Sequence, residues 1–243
     1  NGGSIFNTAI ALGRLGIITG FFSGLSTDFF GESLVAGLKA SNVDLKYTKI
    51  WDRPSTLAFV KLDNGQARYS FFDENSASRM LTTKDLPRFG TDVNALHFGS
   101  ISLIPEPGAS TLEALMAREA ETRVICLDPN IRASFIKDRR AYLERINRLI
   151  AMCAILKISD EDVTWITGKT DLAVAARDVE PFEDGRERRP GRAILKARRV
   201  VRDSRENVFR PNMPRRRRPR SQDGPPVGAS KGKRRHAGRH QLF

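Results

Sequence analysis

Arg123-Val124-Ile125-Cys126-Leu127-Asp128-Pro129-Asn130-Ile131-Arg132 is the stretch on which the fold turns. Val, Ile, Cys and Leu run on without a polar break, the pattern of a strand buried on both faces of a parallel sheet. Asp-Pro-Asn then stops it, because proline cannot donate to a ladder and Asx side chains favour turns. A strand over Arg123 to Leu127 is therefore expected to end at Asp128. Helical patterns flank it. Upstream, Ser110-Thr111-Leu112-Glu113 reads as a capping box opening a helix that continues to about Glu121. Downstream, a helix from about Asp138 to Met152 aligns Tyr142, Ile146 and Leu149 on one face. Further out, Ala95 to Ser100 and Ala154 to Ile158 read as short apolar strands, and Ser159 caps a helix that Gly168 ends. Strands alternating with helices imply right-handed βαβ units and a parallel sheet covered on both faces. The fold class is α/β.

The N-terminal third carries related signals. Gly2-Gly3 is turn text before a short helix through Ala9, Leu12 and Leu15, which Gly16 stops. Ile17 to Phe22 reads as a strand, and Ser23 to Gly31 as a loop. A helix from about Glu32 to Ser41 follows, with Leu34, Val35 and Leu38 on one face. Thr56 to Leu62 and Ala67 to Phe72 flank Asp63-Asn64-Gly65-Gln66, a hairpin signal because Asn-Gly accepts the positive φ angles of a tight turn.

This rhythm breaks near residue 176. Residues 1–176 hold 20 Lys+Arg and 20 Asp+Glu, whereas residues 177–243 hold 21 and 8, so the whole net charge of +13 lies in the second part. That part has 18 Arg, seven Pro and no hydrophobic period. It buries too little apolar surface to offset its ordering entropy, and disorder is expected. The division is thus a domain over 1–176 and a basic tail over 177–243. Cys126 and Cys153, the only cysteines, sit in apolar runs, which fits buried thiols in a reducing cytoplasm better than a disulfide framework. No run approaches the roughly 20 apolar residues that span a bilayer, and no signal peptide is visible. The chain begins at Asn1, not Met, so further N-terminal residues are expected.

Ligands of open α/β sheets bind beyond the carboxyl ends of the strands. Two polar clusters lie at such ends, Asp128 to Arg132 and Lys157 to Asp162, and a third, Gly2 to Asn7, precedes the first helix. Gly2-Gly3-x-x-x-Asn7-x-Ala9 resembles the N-terminal signature of the ribokinase-like (PfkB-type) carbohydrate kinases. Gly24-x-x-x-Asp28-x-x-Gly31, the hairpin, His97-Phe98-Gly99-Ser100, Asp128-Pro129-Asn130-x-Arg132 and Lys157 to Gly168 follow in that family's order. The wording most resembles the bacterial fructokinase branch and covers about residues 1–176.

The resemblance implies a ribokinase-like three-layer fold with a mainly parallel sheet and a small β lid, truncated at both ends. It implies ATP-dependent phosphorylation of a sugar hydroxyl, with fructose, ATP and Mg²⁺ as ligands and a homodimer formed through the lid. Gly2, Gly3, Asn7 and Asp28 would bind sugar, since glycines let backbone approach a ligand and Asn both donates and accepts. Arg132 would face the phosphoryl groups. Lys157 and Ser159 would lie near the nucleotide, and Asp162 would organise the metal indirectly. The family's Asn-x-x-Glu falls on Ser159 and Asp162, a departure at both letters. Ribose and ketogluconate kinases share these motifs, so the sugar stays open at this level.

Each motif alone also has a plainer reading. Gly2-Gly3 with Asn7 is an ordinary turn and helix start, and Asp128-Pro129-Asn130 a strand-ending turn. Asp28 caps its loop, Ser159-x-x-Asp162 is a capping box, and His97 is a near-core histidine. The joint order favours the functional reading. The family's late Gly-Ala-Gly-Asp motif, source of the anion hole and the catalytic base, has no counterpart in residues 177–243. No catalytic base is therefore assigned, and little or no kinase activity is expected. The tail is expected to be the product of a shifted reading frame. The rival is a genuine tail whose Arg215-Arg216-Arg217-Arg218 and Lys231-Gly232-Lys233-Arg234-Arg235 contact nucleic acid or another polyanion.

Overall fold

Five α-helices and nine strands make up the described part of the chain, and strand and helix alternate strictly only from residue 95 onward. The computed structural model describes residues 2–63, 66–171, 174, 175 and 179. The basic tail over 177–243 lies outside the described residues, apart from Val179.

The first helix, α1 (Ser4–Arg14), buries Phe6, Ala9 and Gly13, a spacing of three and four that keeps them on one face. Gly16, at φ 79°, takes the left-handed turn that ends it. There follow β1 (Thr19–Gly20), β2 (Gly24–Ser26), α2 (Phe29–Lys39), β3 (Val43–Asp44) and β4 (Lys49–Trp51). β1 pairs with β3 and β2 with β4, both parallel. The strand expected over Ile17 to Phe22 shrinks to two residues. Its partner β3 is only two residues long, and Ile18 is left fully exposed. Conversely, the expected loop from Ser23 to Gly31 contains the buried strand β2, and α2 begins three residues earlier than expected.

The strands β5 (Leu57–Asp63) and β6 (Gln66–Phe72) form the expected antiparallel hairpin, in register from Leu57↔Phe72 to Asp63↔Gln66. The two turn residues, 64 and 65, lie outside the described residues.

β7 (Ala95–Gly99), α3 (Gly108–Glu119), β8 (Val124–Asp128), α4 (Arg139–Met152), β9 (Ile155–Leu156) and α5 (Asp160–Thr167) complete the order. β7, β8 and β9 form one parallel sheet in sequence order. Phe98, Ile125 and Leu127 point from one face into the main core, where they meet Leu115 and Met116 of α3 and Ile146 and Leu149 of α4. Burying each such side chain contributes about 1.5–3 kcal/mol. Strand alternation puts His97, Cys126 and Asp128 on the opposite face, where each is only half-buried. α1 packs against β7 and α2, and Phe6, Phe21, Leu25 and Leu38 form a second core.

The capping box expected at Ser110 is not one. α3 starts at Gly108, because the carbonyls of Pro105 and Pro107 already accept from Ala109 N–H and Thr111 N–H. Prolines suit a helix start, where their missing N–H would go unused. Buried Thr111 instead donates its hydroxyl to Leu81 O, and Glu113 pairs with Arg145 and Arg148 of α4. The other two helix starts hold. Asp138 accepts from Ala141 N–H and Ser159 from Asp162 N–H.

Candidate active site

Three chain segments meet where β7, β8 and β9 end. At the β7 end, Gly99 has φ 156° and ψ −177°, and Ser100 has φ 64°. A Cβ on Gly99 would overlap the Asp128 carbonyl oxygen, so only glycine lets the two strand ends close up. Ser100 N–H then donates to Pro129 O (3.0 Å). At the β8 end, Asn130 sits at φ 42°, a left-handed position that Asn tolerates. Sparsely populated backbone at adjacent strand ends is typical of functional sites.

Lys157, just beyond β9, extends the pairing through its N–H to Leu127 O (2.9 Å). Its Nζ lies 3.2 and 3.0 Å from the two Asp128 carboxylate oxygens. The Asp128 side chain is 15% exposed and that of Lys157 66%, so the pair presents a screened positive tip to solvent. Ser159 caps α5 through its Oγ, while Asp162, 6% exposed, turns its carboxylate the other way and accepts from Ile131 N–H (2.9 Å). Ser159 and Asp162 thus make half of the expected capping box. The second half reaches across to the β8–α4 loop instead. Arg132 donates through one Nη to Asn130 O and Ile131 O, and its Nε and other Nη have no hydrogen-bond partner among the described residues. Burial pushes the His97 imidazole below its ordinary pKa, against the pull of Asp128 and with the help of the Lys157 charge.

Gly2, Gly3, Asn7 and Asp28 lie at two helix starts. Gly3, at φ 116°, is the N-cap of α1 and offers no side chain to the free N–H groups of the first turn. Nothing would meet a Cβ on Gly2. Asn7 is exposed; its backbone N–H donates to Gly3 O (2.8 Å), and among the described residues its side-chain amide has no hydrogen-bond partner. Asp28 caps α2. Its Oδ1 accepts from Gly31 N–H (2.8 Å) and from the Ser55 hydroxyl (2.7 Å), and its Oδ2 accepts from Ser55 N–H (2.8 Å). Partial burial pushes its pKa up, but the bonds from Gly31, Ser55 and Ser26 outweigh that and hold it at about 2.

The structure therefore brings Asp128, Arg132, Lys157, Ser159 and Asp162 together. No hydrogen bond or ion pair links that group to Gly2, Gly3, Asn7 or Asp28 among the described residues. Sequence reasoning missed Ser55, since nothing local marks a serine 27 residues away as the partner of Asp28. It also missed the close approach at Gly99, although that glycine stood inside a quoted motif.

Among the described residues no group of three or more His, Cys, Asp or Glu is arranged to hold a metal ion. A metal cage built from protein alone does not fit. Mg²⁺ needs few protein ligands when phosphates and waters supply the rest. Two shallow hollows are open to solvent. One of about 440 Å³ is lined by residues including Ser26, Thr27, Val35 and Ile50, and the other, of about 410 Å³, by Asp160, Glu161, Thr164 and Thr170. No helix among the described residues is long and apolar enough to cross a membrane.

Comparison with known proteins agrees with this fold. The model of the pfkB family carbohydrate kinases matches residues 1–186. A fructokinase from Rhizobium leguminosarum bv. trifolii is 61% identical over 164 residues, 68% of this chain and 50% of the relative. A fructokinase from Salmonella typhimurium is 34% identical over 182 residues, 73% of this chain and 59% of the relative. Among solved structures, the apo fructokinase of Vibrio cholerae O395 matches with a TM-score of 0.65 at 26% identity, covering 73% of this chain and 62% of that one. The aminoimidazole riboside kinase of Salmonella enterica has the same fold, with a TM-score of 0.65 at 23% identity over 74% of this chain and 60% of that one. The chain spans only about half to three-fifths of the length of these relatives. With the parallel sheet, the hairpin and the strand-end cluster in place, the chain belongs to the pfkB family of carbohydrate kinases.

Proposed function

We propose that this chain carries the substrate-facing part of an ATP-dependent fructokinase, which transfers a phosphoryl group to a hydroxyl of D-fructose. The observation that carries the reading is the strand-end cluster, where Arg132 and Lys157 lie at the same strand ends as Gly99, Ser100 and Asn130, whose backbone takes positive φ. The 61% identity to a protein named fructokinase supports fructose over other sugars. In this reading Gly2, Gly3, Asn7 and Asp28 hold the sugar. Bare glycine backbone and a side-chain amide with no partner among the described residues leave the donors and acceptors that a polyol needs.

Arg132 contacts the phosphoryl groups, and Lys157 and Ser159 lie beside the nucleotide. ATP supplies the phosphoryl group, and Mg²⁺ neutralises its charge. Asp162 acts on the metal site only indirectly, because its carboxylate is buried and bound to Ile131 N–H. The hairpin forms the lid. Phe59 and Phe72, edge to face with centroids 5.6 Å apart, are both exposed on it and suit a homodimer through paired lids.

Phosphoryl transfer also needs a base for the hydroxyl proton, and the sequence holds no Gly-Ala-Gly-Asp. The chain as written is therefore expected to bind fructose without turning it over at a useful rate. Calorimetric titration of the full chain with fructose, ribose and ketogluconate, alongside a coupled ADP-release assay, tests both halves. Saturable binding of fructose in preference to the others is expected. A chain that binds none of them, or that prefers another sugar, refutes the fructose reading, and full turnover refutes the assignment of the missing base.

A further inference from the structure

We infer that Ser55 is a positioning residue for Asp28, tying that carboxylate to the base of the β5–β6 hairpin so that sugar site and hairpin are held by one knot. The inference rests on the reading above for the identity of the ligand. Its structural part stands without it.

Ser55 is 8% exposed and lies two residues before β5. It gives Asp28 both of its donors, the hydroxyl to Oδ1 and the backbone N–H to Oδ2. The other leg of the hairpin is fastened to the same place. Ala77 N–H donates to Pro54 O (3.0 Å), and the Thr56 hydroxyl lies 2.9 Å from both the Ser76 and the Ser78 hydroxyls. Beyond this knot the hairpin reaches the other half of the site, since the Phe71 ring packs edge to face on Phe135, three residues after Arg132. The hairpin thus touches both the Asp28 corner and the loop that carries Arg132.

The count of acceptors says what Asp28 can still take. A carboxylate offers about four lone-pair positions, and three are used by Gly31 N–H, Ser55 O–H and Ser55 N–H. The Ser26 side chain also bonds this carboxylate, so a ligand hydroxyl has to share or replace one of these donors, and a bidentate cation has no room. A ligand hydroxyl there shares its acceptor with Ser55, so any change in Asp28 is felt at the hairpin base.

The test uses the full chain and two readouts. Hydrogen exchange is followed over residues 57–63 and 66–72, and fructose affinity is measured by calorimetry, for wild type, Ser55→Ala, Ser55→Thr and Asp28→Asn. Ser55→Ala is expected to speed hairpin exchange about tenfold and weaken fructose binding about tenfold, the worth of one hydrogen bond to a charged group. Ser55→Thr, which keeps the hydroxyl, restores both to within about twofold. If Ser55→Ala does not fold, Asp28→Asn must show the faster hairpin exchange by itself. Hairpin exchange that stays within about twofold of wild type in the folded variants overturns the inference. So does a loosened hairpin with unchanged fructose affinity. A wild-type chain that binds no fructose, with a hairpin that still loosens in Ser55→Ala, sinks the sugar reading and leaves the Ser55–Asp28 anchor supported.

Discussion

Replacing Asp162 by alanine isolates the contact that joins α5 to the β8–α4 loop. The carboxylate accepts a buried hydrogen bond from Ile131 N–H at 2.9 Å, while the Ser159 cap uses only the Asp162 backbone and survives any side chain. A hydrogen bond to a charged group contributes about 1.5–3 kcal/mol net, and alanine leaves the buried Ile131 N–H with no acceptor. Loss of a first-turn acid costs a further ~0.5 kcal/mol, which the better helix propensity of alanine offsets. The expected destabilisation is therefore about 2 kcal/mol. With a urea slope of about 2 kcal/mol/M for a domain of this size, the midpoint falls by roughly 1 M. Asp162→Asn keeps a carbonyl acceptor of the same shape and is expected to lose less than half as much. Urea unfolding followed by the fluorescence of Trp165, which lies in α5, reads both variants, and exchange at the Ile131 amide reports the bond itself. A midpoint for the alanine variant within 0.2 M of wild type, or equal losses for Asn and Ala, would refute the role assigned to the carboxylate.

Three other outcomes follow from the same contacts. Gly99→Ala forces a Cβ onto the Asp128 carbonyl and is expected to cost about 3 kcal/mol or more, and chemical shifts at Ser100 and Lys157 should move with it; a shift in stability under 1 kcal/mol would mean the strand ends need not meet. The pKa of Asp28 is about 2 when folded, below the ordinary 3.8, so its stabilisation is complete above pH 4 and is lost as pH falls from 3.8 through 2. The wild type should thus lose about 0.5–1 kcal/mol relative to Asp28→Asn between pH 5 and pH 3, discounted for its partial exposure, and a difference constant across that range would contradict the bonds described. Sequencing the coding DNA across codons 165–190 should reveal a Gly-Ala-Gly-Asp motif in another frame downstream. A confirmed frame with no such text in any other makes the basic tail a genuine part of the protein.

Signals that were local could be read from the chain. The two helix caps at Asp138 and Ser159, the left-handed stop at Gly168 and the register of β5 with β6 each depend on residues within a few positions of one another. So does the strand ending at Asp128, because Val-Ile-Cys-Leu followed by Asp-Pro-Asn states both apolarity and arrest. The misreadings were of another kind. Ser110 to Glu113 has the letters of a capping box, yet Pro105 and Pro107 start the helix earlier and Glu113 is drawn to Arg145 and Arg148. Ile17 and Ile18 are apolar enough for a strand, but among the described residues no partner strand runs beside them.

The chain of residues by itself determined that this protein alternates strands and helices from residue 95 onward, where most of those helices begin and end, and which polar clusters stand at strand ends. These follow from backbone preferences and from apolar periodicity, which act over one or two turns. Only the tertiary structure decided that Asp162 serves Ile131, that Asp28 serves Ser55, that Lys157 is held by Asp128, and that Phe71 reaches Phe135. A hydrogen bond across 27 or 31 positions is specified by the meeting of two surfaces. No spacing in the letters records that meeting until the core has packed.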